Sequence, residues 1–536
     1  MAGWNYADVW EVVADVRPDD VAQIQGERRI SWRDFDRRAD GIARTLLDAG
    51  AAEQDKVALY LHNGPEYLEA CFAAWKAGLV PVNTNYRYVE DELAYLWDNA
   101  DAVAVVFHGT FADRVDAVRH RVPKVRTWLW VDDGSGPCPD WATPYEDAAK
   151  AADERVVAPW GRSGDHLLMI YTGGTTGMPK GVMWRQHDLF VALTANVTPY
   201  GPEADLDAVR ELAANPGPRH IPACPLMHGT GWFPSLLALS SAGSIVSLES
   251  LTFDPAELLD TIDREGVVSI AIVGDAFAKP ILRALDSDPD RWDLSSLFLV
   301  ASSGVMWSEE VKQGLLRHHR GMLLHDSFSS SEALGMANSI SSSGGTKHTA
   351  QFSLGENTLV IDDDGDRVEP GSGRIGRVAV GGPCPIGYYK DPEKSAATFL
   401  QIDGRTYSMP GDYATVEEDG TLTLLGRGSV CINTGGEKVF PEEVEEVLKQ
   451  HPSIDDAVAV GVPDDRFGEA VTAVVEPAPG AEVDDGAVIA HVKDRLAHYK
   501  APKRVVTIDT IGRAPNGKVD YARLREHALR ELGLTS

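Results

Sequence analysis

Short apolar runs alternate with amphipathic stretches of helical period through most of this chain, and that alternation constrains the fold more than any other feature. Residues 30–50 predict a helix, because Ser31 can cap it and Phe35, Ala39, Ile42, Ala43 and Leu46 fall on one face. Lys56-Val-Ala-Leu-Tyr-Leu61 follows as a strand, Glu66 to Gly78 as a second helix, and Val80-Pro-Val-Asn83 and Val103–Phe107 as further strands. The pattern continues with strands at Ser244–Leu248, Val267–Val273 and Leu297–Ala301, and with helices at Pro255–Glu265 and around Glu309–His319. Strands that alternate with helices imply a mostly parallel sheet with helices on its faces, an α/β fold.

The texture changes from about Thr358, where runs such as Arg377–Val380 and Thr421–Leu425 are separated by glycine and acidic turns and predict an antiparallel or distorted β region. It changes again past Gly428. A helix starts at Pro441, strands follow at Ala457–Val462 and Ala470–Val475, Val488, Val492 and Leu496 mark another helix, and Tyr521 to Leu532 a last one. Roughly a hundred residues suffice for a separate compact unit. The expected division is therefore a large N-terminal domain, 1–428, with α/β layers and a β region, and a small α/β C-terminal domain, 429–536.

Composition removes several function classes. A net charge of −31 on 536 residues repels nucleic acid and anionic membranes, and any site for an anionic ligand must be locally positive. The five cysteines are scattered without a Cys-x-x-Cys pair, which argues against a disulfide framework or zinc site and fits a reducing cytoplasm. The start Met1-Ala-Gly-Trp-Asn-Tyr lacks a signal-peptide pattern, and the run Phe233–Leu248 is too short and polar to span a bilayer.

After the apolar run Leu167–Ile170 comes Tyr171-Thr-Gly-Gly-Thr-Thr-Gly-Met-Pro-Lys180-Gly181. Its glycines and threonines suit neither helix nor strand, but they offer bare N–H groups and hydroxyls to a phosphate chain. The spacing is not that of a P-loop, since Gly181 follows Lys180. The whole string resembles the phosphate loop of the adenylate-forming superfamily, which includes acyl-CoA synthetases. Further strings resemble its motifs in the same order: Phe328-Ser-Ser-Ser-Glu332, Tyr407 to Asp412, Gly426-Arg427, Gly435-Gly-Glu-Lys438 and Pro515-Asn-Gly-Lys518.

The resemblance implies the adenylate-forming fold with a mobile C-terminal domain, and it implies ATP, CoA and Mg²⁺ as cofactors. Lys518, Glu332 and His228 become the catalytic candidates, with Lys518 the cation between carboxylate and ATP. Glu332 with Thr175 would hold the metal. ATP would meet Thr172, Gly173, Gly174, Thr175, Thr176, Gly177 and Lys180 in the phosphate loop. Ser303, Gly304, Asp326 and Ser331 would border it, Phe328 would stack on adenine, and Asp412 and Arg427 would contact ribose or phosphate. Gly435, Gly436 and Lys438 would face CoA once the small domain rotates about a hinge at Ser429. His228, Trp232, Phe233, Gly274 and Asp275 would border the acyl pocket, where Gly229, Gly231, Gly274 and Gly304 would leave room.

Two positions depart from the motifs: Ser329 stands where a glycine is usual, and Ser429 where Asp or Lys is usual. The segment Gly426 to Lys438, with Met183-Trp-Arg185, looks most like actinobacterial ligases for steroid or terpenoid acids. The expected activity is ATP-dependent conversion of a bulky hydrophobic acid, through acyl-AMP, to its CoA thioester. Alternatives are a split-function ligase acting only on acyl-AMP, a ligase loading a carrier protein, and a non-catalytic acyl-adenylate-binding protein. The expected partners are small molecules, and the oligomeric state, a homodimer included, stays open.

Overall fold

A computed structural model describes residues 3–172, 178–195, 205–305, 307–345, 351–355, 357–427, 430–434, 437–464, 468–496, 498–514 and 517–534, without the side chains at 427, 433, 437, 438 and 468. Its described strands form three sheets. The first has eight strands, and its centre is parallel: Val80–Asn83, Lys56–Tyr60, Ala102–His108 and Thr127–Val131. Its other side is a hairpin, Leu167–Thr172 with Lys180–Arg185, which flanks the glycine–threonine string.

The second sheet has fifteen strands and changes character midway. Ser244–Ser247, Arg219–Pro222, Ser269–Ile272, Leu299–Ser303 and Leu323–Phe328 run parallel. The next strand, Ala337–Ser341, is antiparallel, and so are those that follow through Thr421–Arg427. The β region thus begins earlier than the sequence predicts, because Ala-Asn-Ser-Ile-Ser carries too few apolar residues to read as a strand.

Local signals explain the helices. Ser31 accepts a hydrogen bond from the Asp34 amide at 3.1 Å and caps Trp32–Asp48, whose Phe35, Ala39, Ile42 and Leu46 are buried. Pro255–Glu265 starts with proline after the Asp254 cap and stops at Gly266 in the left-handed region (φ 60°). The apolar run at 233–248 resolves into the helix Gly229–Ser240, a turn, and the strand Ser244–Ser247. The unpredicted helix Tyr6–Val16 opens with a reciprocal Asn5/Asp8 cap.

The third sheet contains five strands, all after residue 431. Ala457 and Ala459 pack with Val444, Val447, Leu448 and Val488 on one face, while Val458, Val460 and Val462 pack with Leu524 and Ala528 on the other. This alternation is the period-two signature of a sheet covered on both sides. Leu496 lies beyond the helix Asp485–Lys493 yet still packs on this core.

Candidate active site

Parallel strands bring their C-terminal ends together, and open α/β sheets bind ligands there. Ser302 lies opposite Asp326, and Ser303 opposite Ser327, at the ends of Leu299–Ser303 and Leu323–Phe328. Gly304 follows with φ 93°, a turn that a side chain would strain. A cavity of about 2010 Å³ opens at these ends. Thr172, His228, Glu332, Asp412 and Lys518 all line it, with Ser303, Gly304, Asp326, Phe328 and Ser331. Residues scattered over most of the chain therefore share one cleft.

Glu332 is nearly buried, and its Oε1 accepts a hydrogen bond from the Tyr388 hydroxyl at 2.9 Å. The carbonyl of the preceding Ser331 accepts from Trp184 Nε1 at 2.8 Å. Trp184 belongs to the Met183-Trp-Arg185 string, so this part of the sequence contacts the residue before Glu332. Among the described residues no cluster of three or more His, Cys, Asp or Glu could hold a metal on protein ligands alone. A single anchored carboxylate fits Mg²⁺ that draws its remaining ligands from phosphate and water.

Asn83, which sequence reasoning did not single out, also lines the cavity. Its Oδ1 accepts from the Tyr171 amide at 2.6 Å, and its Nδ2 donates to the carbonyls of Tyr171 (3.0 Å) and Met227 (2.7 Å). It thereby ties the base of the glycine–threonine hairpin to the segment that presents His228. A polar residue at the C-terminal end of a parallel strand was the available signal. Arg87, shortly after it, lines the same cavity.

His228 precedes the helix Gly229–Ser240. Desolvation, followed by the nearby charges of Lys518 and Arg87, holds its imidazole down to about 3. It is therefore neutral at physiological pH, able to donate or accept a hydrogen bond. The same interaction places the Lys518 charge close to His228. The Ala514 amide donates to the Lys518 carbonyl at 2.9 Å. The neighbouring Gly517 (φ 71°) presses on the large domain, and a Cβ there would lie 2.5 Å from Val305 and 2.8 Å from Val273.

Several expectations need correction. Lys180 does not line the cavity; its ammonium pairs with Asp391 and closes the hairpin base against Gly387–Tyr388. Trp232 is fully buried against Tyr67, on the face of its helix away from the cavity, whereas Thr230, Phe233 and Leu237 face inward. Asp275 accepts from the Ser308 amide at 3.0 Å and its hydroxyl at 3.1 Å, and lines a smaller neighbouring cleft instead. Gly274 is not in the cavity wall; its amide donates to Ser302 Oγ at 2.9 Å and buttresses that strand end. Gly231 leaves no room, since a Cβ would lie 2.6 Å from the Pro225 carbonyl. Asp326 does reach the cavity, but its carboxylate also pairs with the buried Lys312 at 3.0 Å. Ser329, the departure from the motif, uses its hydroxyl to accept from the Gly335 amide at 3.1 Å.

Gly173, Gly174, Thr175, Thr176, Gly177, Ser429, Gly435 and Gly436 lie outside the described residues, as do the side chains of Arg427 and Lys438. The backbone of Arg427 pairs with Asp412, and the strands Ile432–Thr434 and Glu437–Val439 flank the glycine pair.

The constellation suits one chemical task. Two anions ~4 Å apart repel by on the order of 4 kcal/mol at an effective dielectric of ~20. Cations fixed between them offset that repulsion and stabilise charge that develops during attack. Lys518 and Arg87 are cations in the cleft wall, on a chain that is otherwise strongly acidic.

A fatty-acid and 3-oxocholest-4-en-26-oate CoA ligase of Mycolicibacterium smegmatis is 41% identical over 530 residues, covering 96% of this chain and 95% of its own. A 3-oxocholest-4-en-26-oate CoA ligase of Rhodococcus rhodochrous is 40% identical, covering 96% of this chain and 94% of its own. The crystal structure of the anthranilate CoA ligase AuaEII with anthranoyl-AMP shares the fold, with a TM-score of 0.84 at 21% identity over 100% of this chain and 99% of the other. The profile of the AMP-binding enzymes matches residues 10–389, and that of their C-terminal domain matches 443–518. With both profiles in order around a cleft that gathers Glu332, Asp412 and Lys518, the chain belongs to the AMP-binding enzyme family of the adenylate-forming superfamily and is an AMP-forming acyl-CoA synthetase.

Proposed function

We propose that this synthetase activates an elongated, bulky hydrophobic acid of steroid or fatty-acid type. The observation that carries this is the inner arm of the cavity. One face of the helix Gly229–Ser240 supplies Thr230, Phe233, Pro234, Leu237 and Ala238, and Ser241 follows. At 1.5 Å per residue, Thr230 to Ser241 spans about 17 Å. The opposite wall is the sheet face carrying Leu299, Ala301 and His325, and Leu299 to Gly304 also spans about 17 Å. A slot of that length between apolar walls suits a fused-ring or long-chain acid far better than acetate. At its inner end His220 is 2% exposed, with Nδ1 2.9 Å from Ser269 Oγ. The relatives' names, which pair fatty acids with a steroid acid, support the same class.

In this reading Lys518 bridges the acid and the α-phosphate, and His228 borders the reacting carboxylate. Asp412 accepts from the ribose hydroxyls, Phe328 stacks on adenine, and Glu332 holds Mg²⁺, which supplies charge neutralisation to the phosphates. Residues 429–536 then turn about Ser429, withdraw Lys518 and bring Gly435, Gly436 and Lys438 to CoA. The free cysteines support work in the reducing cytoplasm. ATP–pyrophosphate exchange with steroid, terpenoid, long-chain, aromatic and short acids tests the substrate class. Exchange strongest with the elongated hydrophobic acids is expected, and preference for acetate would refute it.

A further inference from the structure

Arg513 lies five residues before Lys518 in the sequence and is mostly buried. Its Nε and Nη2 donate to the two oxygens of Asp456 at 2.6 and 2.9 Å, a fork on a carboxylate. Its remaining arm, Nη1, donates to the carbonyl of Gly517 at 3.2 Å. One guanidinium thus joins the strand Ile454–Asp464 to the peptide immediately before Lys518. The Gly517 amide donates to the Ala514 carbonyl at 2.7 Å. Below the pair, Glu445 accepts from Tyr521 at 3.0 Å and from the Ala459 amide at 3.1 Å.

Asp455, the neighbour of Asp456, faces the other way. Its carboxylate pairs with Arg283 at 2.7 Å, and its carbonyl accepts from Lys279 Nζ at 2.9 Å. Both cations lie on Gly274–Ser287, a helix of the large domain. Adjacent acids therefore do two things: Asp455 meets the large domain, and Asp456 fixes the loop that delivers Lys518.

We infer that Arg513 is a positioning residue for adenylation, holding the Lys518 loop on Asp456 in the shape that enters the cavity when Asp455 docks. The inference rests on the reading of Lys518 given above. Lysine cannot replace the fork, because an ammonium cannot reach two carboxylate oxygens and a carbonyl in fixed directions.

The test separates the two half-reactions on the full chain. Pyrophosphate exchange reports adenylation, and thioester formation from supplied acyl-AMP and CoA reports the second step, with thermal unfolding as a control. Arg513→Gln is expected to lower exchange by roughly 10- to 100-fold, the scale of a small misplacement of a catalytic group. Thioester formation is expected to stay within about twofold of the parent, since Lys518 is outside that step. Arg513→Lys should fall between. Parallel loss of both steps in a folded variant, or unchanged exchange, would overturn the inference. Should Arg513→Gln not fold, Arg513→Lys and Asp456→Asn decide by the same split. Lys518→Ala in parallel separates the two readings: if it retains exchange, the role of Lys518 fails; if it loses exchange while Arg513→Gln keeps it, only the positioning role fails.

Discussion

Replacing Leu237 by tryptophan would block the inner arm of the cavity partway along its length. Leu237 is partly buried and lines the wall, seven residues beyond Thr230 on the same helix, hence about 10 Å along it at 1.5 Å per residue. The indole would deny an acyl group the last ~6 Å of the ~17 Å slot, room for about four methylene groups. At ~0.8 kcal/mol per buried methylene the loss is about 3 kcal/mol, roughly 200-fold in kcat/KM for acids that fill the slot. Acids that end before Leu237 should change by less than about threefold, because no contact of theirs is removed. Pyrophosphate exchange across a homologous series of straight-chain acids, plus one fused-ring acid, reads both values. A uniform loss at every length, or full retention of the longest acids, would refute the placement of the acyl group along this helix.

Further outcomes follow from other contacts. Asn83→Ala strands the Tyr171 amide and the carbonyls of Tyr171 and Met227; a loss of about 2–3 kcal/mol in calorimetric stability is expected, with weaker exchange. Tyr388→Phe removes the hydroxyl that steadies Glu332; at ~1 kcal/mol this should raise the Mg²⁺ concentration for half-maximal exchange about fivefold without altering the unfolding temperature by more than a few degrees. Burial holds the His220 imidazole down to about 4, below its usual value of ~6.5. The unfolded chain takes up that proton as pH falls through ~6.5 while the native state does not, so stability is lost from about pH 6.5 toward 4 at up to ~1.4 kcal/mol per pH unit. Unfolding temperatures of His220→Phe should therefore fall less steeply than the parent's over that window; equal slopes would show that the imidazole is not held neutral.

The sequence carried more of the frame than of the site's detail. Capped, amphipathic helices such as 32–48 and 255–265 were legible because cap, apolar stripe and stop signal agree locally. The strand Ala337–Ser341 was not, because its place is set by pairing with Leu323–Phe328 rather than by its own residues. Motif positions such as Glu332, Asp412 and Lys518 do converge on one cleft. Lys180, Trp232 and Asp275 do not, since proximity in sequence to a motif says nothing about which way a side chain points from its helix or strand. Asn83, Tyr388 and Arg513 hydrogen-bond to Tyr171, Glu332 and Gly517, and contacts of that kind leave no spacing pattern to read.

Whether Lys518 is the cation that lets acid and ATP meet is most directly measured by separating the half-reactions of Lys518→Ala. Pyrophosphate exchange should fall by ~10²–10³, while thioester formation from supplied acyl-AMP and CoA stays near that of the parent. Equal loss of both, or exchange that survives, would contradict it.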